Sequence, residues 1–113
     1  MTITVKGIPL EIDMLDAQDN ARATNAINSV SCATANIENS KTDAEVITTV
    51  CQAVFECFNS IFGNGTDTKI FGGKCNMREA LDAFAELTLG AKKQKDDISD
   101  LMNKYSLNRL KRE

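Results

Sequence analysis

The run from Thr42 to Phe62 constrains the fold of this chain more than any other part of the sequence. Thr42 and Glu45 have the spacing of a capping box, in which each side chain accepts a hydrogen bond from a free backbone N–H at the start of a helix. Apolar residues then recur every three or four positions, as on one face of a helix: Ala44, Ile47, Val50, Cys51, Val54, Phe55, Phe58, Ile61 and Phe62. We therefore predict a long amphipathic helix over this run.

Three aromatic residues, Phe55, Phe58 and Phe62, lie in the last eight residues of this predicted helix. A large apolar side chain contributes about 1.5 to 3 kcal/mol when it is fully buried, so three rings are enough to anchor a core. A partner-binding stripe is the alternative role. Together with Ile70 and Phe71, these residues are the candidate partner-binding aromatic unit.

Four of the six glycines lie in the segment 63–74, which is the most distinctive local sequence of the chain. The segment does not match the phosphate-binding pattern G-x-x-x-x-G-K-[ST], because Cys75 stands where Ser or Thr is required and no strand is predicted before it. We predict an inter-helix connector in which the glycines supply unusual backbone angles and Ile70 and Phe71 turn back onto the helices. The connector is also a candidate contact surface.

The N-terminal segment, residues 2–13, alternates apolar and polar side chains on both sides of Lys6 and Gly7. This is the pattern of a β-hairpin with one buried face. Pro9 cannot donate a ladder hydrogen bond, so we place it at an outward-facing or edge position. A two-stranded sheet is marginal in water, and we expect helices or another chain to cover it.

A helical pattern with a thin, alanine-rich apolar face extends from about Leu15 to Ile37, with Asp13 as its expected N-cap. The expected apolar positions are Leu15, Ala21, Ile27, Val30, Ala33 and Ile37. Several asparagines lower the helix propensity of this segment. Two interpretations stay open: an interrupted helix, or a continuous one that packs closely through its alanines.

The charge of the chain is divided between an acidic body and a basic C-terminal segment. Residues 1–91 carry six basic and twelve acidic side chains, net −6, and residues 92–113 carry seven and four, net +3. A last helix is predicted to begin after Asn76, with Glu79 completing a second capping box, and Gly90 is expected to weaken or end it. We predict one acidic domain over 1–91 and a separable basic amphipathic helix or tail over 92–113. Two interpretations of this segment stay open: a continuation of the last helix that projects from the body, or a separate helix that orders only on a partner. The candidate binding cations of this tail are Lys92, Lys93, Lys95, Arg109, Lys111 and Arg112.

These patterns together predict an α+β fold, mostly helical, in which an N-terminal β-hairpin packs on three to four α-helices. The 113 residues suit a single domain. The chain contains no histidine, which excludes a histidine base, a Ser-His-Asp or Cys-His nucleophile system and a histidine-containing zinc site. The four cysteines include no C-x-x-C pair, and apolar surroundings and a reducing compartment explain them. We predict a protein that binds, without enzymatic activity, cofactor or metal.

Composition also limits the partners and the location. A net charge of −3 argues against direct nucleic acid binding as the main role. The sequence has no apolar run of the roughly 18 to 20 residues that a membrane span needs, and its N-terminus lacks the pattern of a signal peptide. We expect a cytosolic protein that binds another protein, with homo-oligomer formation left open.

A family resemblance rests on short segments in the second half of the chain. These segments are Val54–Thr66, Lys69–Gly73, Asn76 and Ala80–Phe84. They resemble the recurrent core of small proteins encoded by tailed phages and prophages of Gram-positive bacteria, in which an aromatic helix end runs into an F-G-x-G-T loop and a K-x-F-G-G-x-x-N element. The similarity covers roughly residues 1–90, and in that family a short N-terminal hairpin precedes the helices.

The resemblance implies a role in phage tail morphogenesis, similar to tail assembly chaperones, which coat the tape-measure protein before the tube polymerises. The expected location is then the host bacterial cytoplasm, or the virion. One alternative is an anti-defence inhibitor, for example of a CRISPR nuclease, in which the acidic body occupies a basic groove of a host protein. Another is a minor structural subunit of the virion, whose hairpin adds to the sheet edge of a neighbour.

Overall fold

A computed structural model describes residues 2–35, 37 and 42–105. Its elements follow the chain in this order: β1 (Thr2–Val5), β2 (Ile8–Glu11), α1 (Ala17–Ala35), α2 (Asp43–Phe62), α3 (Thr66–Phe71) and α4 (Met77–Lys104). The predicted α+β class is confirmed, because an antiparallel hairpin precedes the helices and most residues are helical. The core contains side chains from all six elements.

The hairpin turns at Lys6 and Gly7 and buries one face, as predicted. Ile3 pairs with Leu10 and Val5 with Ile8, which puts the apolar side chains of both strands on one face. Lys6 and Gly7 adopt positive φ angles of 51° and 79°, as required by the two-residue turn that fits the twist of a hairpin. Pro9 is exposed, as predicted. Helix α4 covers the buried face of β1, so the sheet does not face water on both sides.

Helix α1 is continuous, but its start and its buried face differ from the prediction. Asp13 is not the N-cap: the side chain of Asp16 accepts a hydrogen bond from the backbone N–H of Asp19 at 2.9 Å. Asp13 instead accepts from the N–H of Leu15 in the turn before the helix. The buried residues are Ala23, Ala26 and Val30, whereas Leu15 and Ala21 are exposed. The small alanine side chains let α1 pack closely against α2, which is the second of the two interpretations.

Helix α2 begins as the sequence predicts. The capping box is complete, with Glu45 N–H donating to Thr42 Oγ1 at 3.2 Å and Thr42 N–H donating to Glu45 Oε1 at 3.1 Å. The helix ends at Phe62, before Gly63 with a φ angle of 108°. Arg22 of α1 donates through Nε to the carbonyl of Ile61 at 3.0 Å, so a neighbouring helix satisfies one of the free carbonyls at this end.

The predicted connector between α2 and the last helix contains the short helix α3. Asn59 of α2 helps to stabilise this helix, which the sequence did not predict. Its side-chain oxygen accepts a hydrogen bond from the free N–H of Asp67 in the first turn of α3, at 3.0 Å. Thr66 adds a hydrogen bond to the carbonyl of Gly63 at 2.7 Å. The glycines on either side of α3 adopt positive φ angles, as predicted, and this backbone conformation lets the chain turn before and after the short helix.

Helix α4 continues through Gly90 to Lys104, so this glycine does not end the helix before Lys92, and the structure agrees with the interpretation in which the last helix continues beyond the body. A Cβ atom at position 90 would lie 2.7 Å from Cγ2 of Ile3, and glycine therefore allows β1 to approach the helix. Asn76 is the N-cap, as predicted, and accepts from the N–H of Glu79 at 3.0 Å. The carboxylate of Glu79 does not complete a second capping box and instead lies 3.5 Å from Lys6 Nζ.

The boundary predicted after residue 91 falls within this unbroken helix. Ala91 and Gln94 are both buried, on either side of that boundary. The side-chain oxygen of Gln94 accepts from the backbone N–H of Met14 at 2.9 Å. The start of the basic segment is therefore part of the body, and only the residues beyond it extend past the core.

Candidate partner-binding surfaces

The five candidate aromatic-unit residues lie together, but mostly inside the protein. The ring centroids of Phe55 and Phe71 are 4.8 Å apart, and the ring of Phe58 lies 5.9 Å from Phe71 and 6.2 Å from Phe62. Phe58, Ile70 and Phe71 are buried, whereas Phe55 and Phe62 are half-buried. Their main role is therefore to join α2 and α3, and a partner can reach only the two half-buried rings in this fold.

Lys6, which is not among the candidate residues predicted from the sequence, links the hairpin to this aromatic unit. Its Nζ lies 5.8 Å from the centroid of the Phe71 ring and 3.5 Å from the Glu79 carboxylate. Its backbone N–H donates to Glu86 Oε1 at 3.3 Å. No local sequence pattern signals these contacts, because they join residues more than sixty positions apart.

The basic segment is only partly described. Lys92, Lys93 and Lys95 lie on α4 and are exposed, so they are accessible to a charged partner. The other candidate cations, Arg109, Lys111 and Arg112, lie outside the described residues. The three lysines are followed within five residues by Asp96, Asp97 and Asp100. The described part of this segment therefore carries both positive and negative side chains.

One uncovered apolar surface lies on the solvent side of α4. Leu81, Ala85 and Leu89 follow one another at four-residue steps, which puts them within about 80° of one another around a helix that turns about 100° per residue. Leu81 is 40% exposed and Leu89 is 59% exposed. We call these three residues the outer stripe. Asp82 and Glu86 lie beside it and are exposed, and the exposed Arg78 and Lys93 lie at its two ends, so its border carries charges of both signs.

Two surface depressions adjoin the outer stripe. One of about 450 Å³ is lined by Met77, Arg78, Leu81 and Asp82, which all belong to the first two turns of α4. The other, of about 320 Å³, lies between β1 and α4 and includes Ile3, Leu89 and Lys93 in its lining. Both are shallow features of a protein surface, and their shape suits a side chain of a binding partner better than an enclosed small molecule.

A second apolar surface lies at the end of α4, on the opposite side of the helix. Residues 97–105, which we call the arm, include Leu101 with 40% exposure and Tyr105 with 62%. Leu15, which is also exposed, lines a depression of about 240 Å³ with Leu101 and Lys104. The outer stripe and the arm are therefore two separate surfaces on one helix.

The thiols divide into two exposed and two buried groups. Cys32 and Cys75 are exposed, whereas Cys51 and Cys57 are buried. Burial raises the pKa of Cys57 from 9.0 to about 12. Burial, followed by a hydrogen bond with Cys75, raises the pKa of Cys51 to about 12 as well. The two buried thiols therefore stay protonated at neutral pH, which makes them poor nucleophiles and poor metal ligands.

Within the described ranges, the histidine-free chain forms no group of three or more cysteine or acidic side chains that could hold a metal ion. None of the helices in those ranges has both the length and the apolar character needed to cross a membrane.

Comparison with known proteins gives one assignment. No curated protein and no solved structure matches the chain. The model of a family described as a family of unknown function, DUF6673, matches residues 6–113, so the hairpin turn and all four helices lie within the match. This protein therefore belongs to the DUF6673 family.

Proposed function

We propose that this protein acts by binding another protein through the outer stripe of α4, as a phage tail assembly chaperone that covers part of a tape-measure protein. The observation that carries the proposal is the exposure of Leu81 and Leu89 on a long helix. Leucines that recur on one face of a helix, with charged residues beside them, form the kind of surface that binds an amphipathic helical partner.

The resemblance to phage proteins supplies the identity of the partner in this proposal. A tape-measure protein is long and helical, and a chaperone must cover its apolar faces before the tail tube forms. The outer stripe offers a straight apolar surface for a helix. Asp82 and Glu86 beside it, with Arg78 and Lys93 at its ends, favour a partner segment that carries charges of both signs beside its apolar face.

The residues that the chain lacks also favour a binding role in this proposal. Without histidine, general acid–base catalysis near neutral pH would depend on groups whose pKa values are shifted toward 7. Among the described residues, Cys51 and Cys57 have pKa values that depart clearly from the ordinary value, and burial moves both away from 7.

The experiment is co-expression of the chain with the tape-measure protein encoded by the same phage, followed by co-purification. We expect the wild type to retain the tape-measure protein and the double variant Leu81→Asp/Leu89→Asp to lose it, because two carboxylates would be buried without partners. A control double variant, Gln18→Asp/Gln52→Asp, adds two carboxylates at exposed positions on α1 and α2 and should bind like the wild type.

The acidic body favours a second function, that of an anti-defence inhibitor that occupies a basic groove of a host protein. The supporting observation is the net charge of −6 over residues 1–91. The two functions differ in the partner and in the effect of salt. Co-purification with a host nuclease that is lost steeply as salt rises, with no retention of the tape-measure protein, would overturn the chaperone proposal.

A further inference from the structure

The apolar face of α4 does not end where the body ends. Leu87, Ala91 and Gln94 are buried against the body, and Ile98, Leu101 and Tyr105 continue the same face along the arm. The spacing alternates between four and three residues throughout, which is the spacing of the a and d positions of a coiled coil. The body therefore covers the first half of one continuous seam, whereas on the arm Ile98 is half-buried and Leu101 and Tyr105 are exposed.

Charged residues border this seam in a pattern that selects one arrangement of two copies. Asp97 and Lys104 flank Ile98, Leu101 and Tyr105 on one side. If two arms pair antiparallel, with Ile98 of each opposite Leu101 of the other, each Asp97 lies beside Lys104 of the other copy. This symmetric arrangement makes two ion pairs, one on each side of the twofold axis.

The other side of the seam also suits the antiparallel arrangement. Lys95 of each copy lies beside Met102 of the other, and the aliphatic stem of the lysine can cover the thioether. In this arrangement Tyr105 of each copy comes to the edge of the other copy's body, where the exposed Leu15 side chain gains an aromatic neighbour. A parallel pair would place Asp97 beside Met102 and leave both ion pairs unmade.

We propose that two copies of this chain form an antiparallel, isologous dimer through the arm. The inference does not rest on the proposed function, because the outer stripe lies on the opposite side of α4 and stays accessible. Specific stable interfaces bury about 1,200 to 2,000 Å² in total, and a short helix pair covers less than that. The dimer is therefore concentration-dependent, and each dimer presents two outer stripes.

The test is sedimentation velocity of the full chain over about a hundredfold range of concentration, at low salt. We expect the wild type to shift from monomer to dimer as the concentration rises. Leu101→Asp should stay monomeric with an unchanged circular dichroism spectrum, because the arm lies outside the core. Leu81→Asp is the matched control, since Leu81 has the same 40% exposure on the opposite side of the helix, and it should dimerise like the wild type.

Two charge variants test the register. Asp97→Lys places two lysines side by side across the interface, and Lys104→Asp places two aspartates there. Each variant alone should therefore have a dissociation constant at least about tenfold higher than the wild type. An equimolar mixture of the two variants restores ion pairing between copies and should dimerise. Each chain carries the same charges in the mixture as it does alone. Dimerisation that returns on mixing therefore reports ion pairs between copies.

The outcomes separate the proposal from its competitors. A wild type that is monomeric over the whole range overturns the proposal. So does a dimer that Leu101→Asp leaves intact, or one that the charge variants leave unchanged alone and mixed. A chain that dimerises only after removal of residues 106–113 would show that its own C-terminal segment covers the arm, and this result also overturns it.

Discussion

At position 90 of α4, a glycine determines how closely a strand packs against a helix. Gly90 lies in the interior of a helix, where glycine is normally less favourable than alanine by about 1 kcal/mol. Its hydrogen atoms face Ile3 of β1, and a Cβ atom there would lie 2.7 Å from Cγ2 and 3.0 Å from Cγ1 of that side chain. Ile3 is buried and β-branched, so it cannot rotate freely to make room. Packing therefore outweighs helix propensity at this residue.

We expect Gly90→Ala to lower the free energy of unfolding by about 1 to 3 kcal/mol, the usual cost of overpacking a core. The reverse change at an exposed site of the same helix, Ala85→Gly, should cost about 1 kcal/mol through propensity alone. Both values can be measured by urea denaturation. In the double variant Gly90→Ala/Ile3→Ala the two costs should be less than additive, because the shorter side chain removes the crowding. A Gly90→Ala variant more stable than the wild type would contradict this account.

At the scale of the elements, α4 is one helix with two parts that differ in what surrounds them. Its first part, through Gln94, packs on the hairpin, and its second part, the arm, extends beyond the core. The contact between Gln94 and the Met14 N–H holds the turn before α1 against the helix. The division between body and tail therefore follows this contact and not the change of charge at residue 92.

We expect a chain that ends at Ala91 to be less stable than the full chain by at least about 1 to 3 kcal/mol, because the buried N–H of Met14 loses its acceptor. A chain that ends at Ser99 keeps Gln94 and one further helical turn, and it should unfold close to the full chain. Thermal unfolding of the three chains by circular dichroism gives the comparison. Equal stability of the two truncated chains would show that the Gln94 contact contributes nothing.

At the scale of the whole molecule, burial sets the chemistry of the thiols. Cys51 and Cys57 have pKa values of about 12 in the folded protein and an ordinary value of 9.0 when unfolded. The folded state therefore holds protons that the unfolded chain releases above about pH 9. The resulting stability is fully present below that pH and is lost as the pH rises toward about 12.

We expect a thiol reagent at about pH 8 to modify two cysteines per folded chain, Cys32 and Cys75, and all four in denaturant. The melting temperature should fall as the pH rises above about 9. The variant Cys57→Ala is less stable at neutral pH because it creates a small cavity, and its stability should fall less steeply between about pH 9 and 11. Rapid modification of all four thiols in the native protein would show that the core opens more readily than its burial indicates.

The sequence alone determined the hairpin, the start and end of α2 and the N-cap of α4, because capping and strand alternation act between residues a few positions apart. Only the tertiary structure decided what lies against Gly90, Lys6 and Gln94, since their contacts in Ile3, Phe71 and Met14 are sixty or more positions away. The same distinction holds for the candidate surfaces. Helical spacing found the aromatic residues and the apolar pattern of the C-terminal segment, but it could not tell a buried face from an exposed one. That difference depends on which neighbouring elements displace water from the face, and only long-range packing determines this.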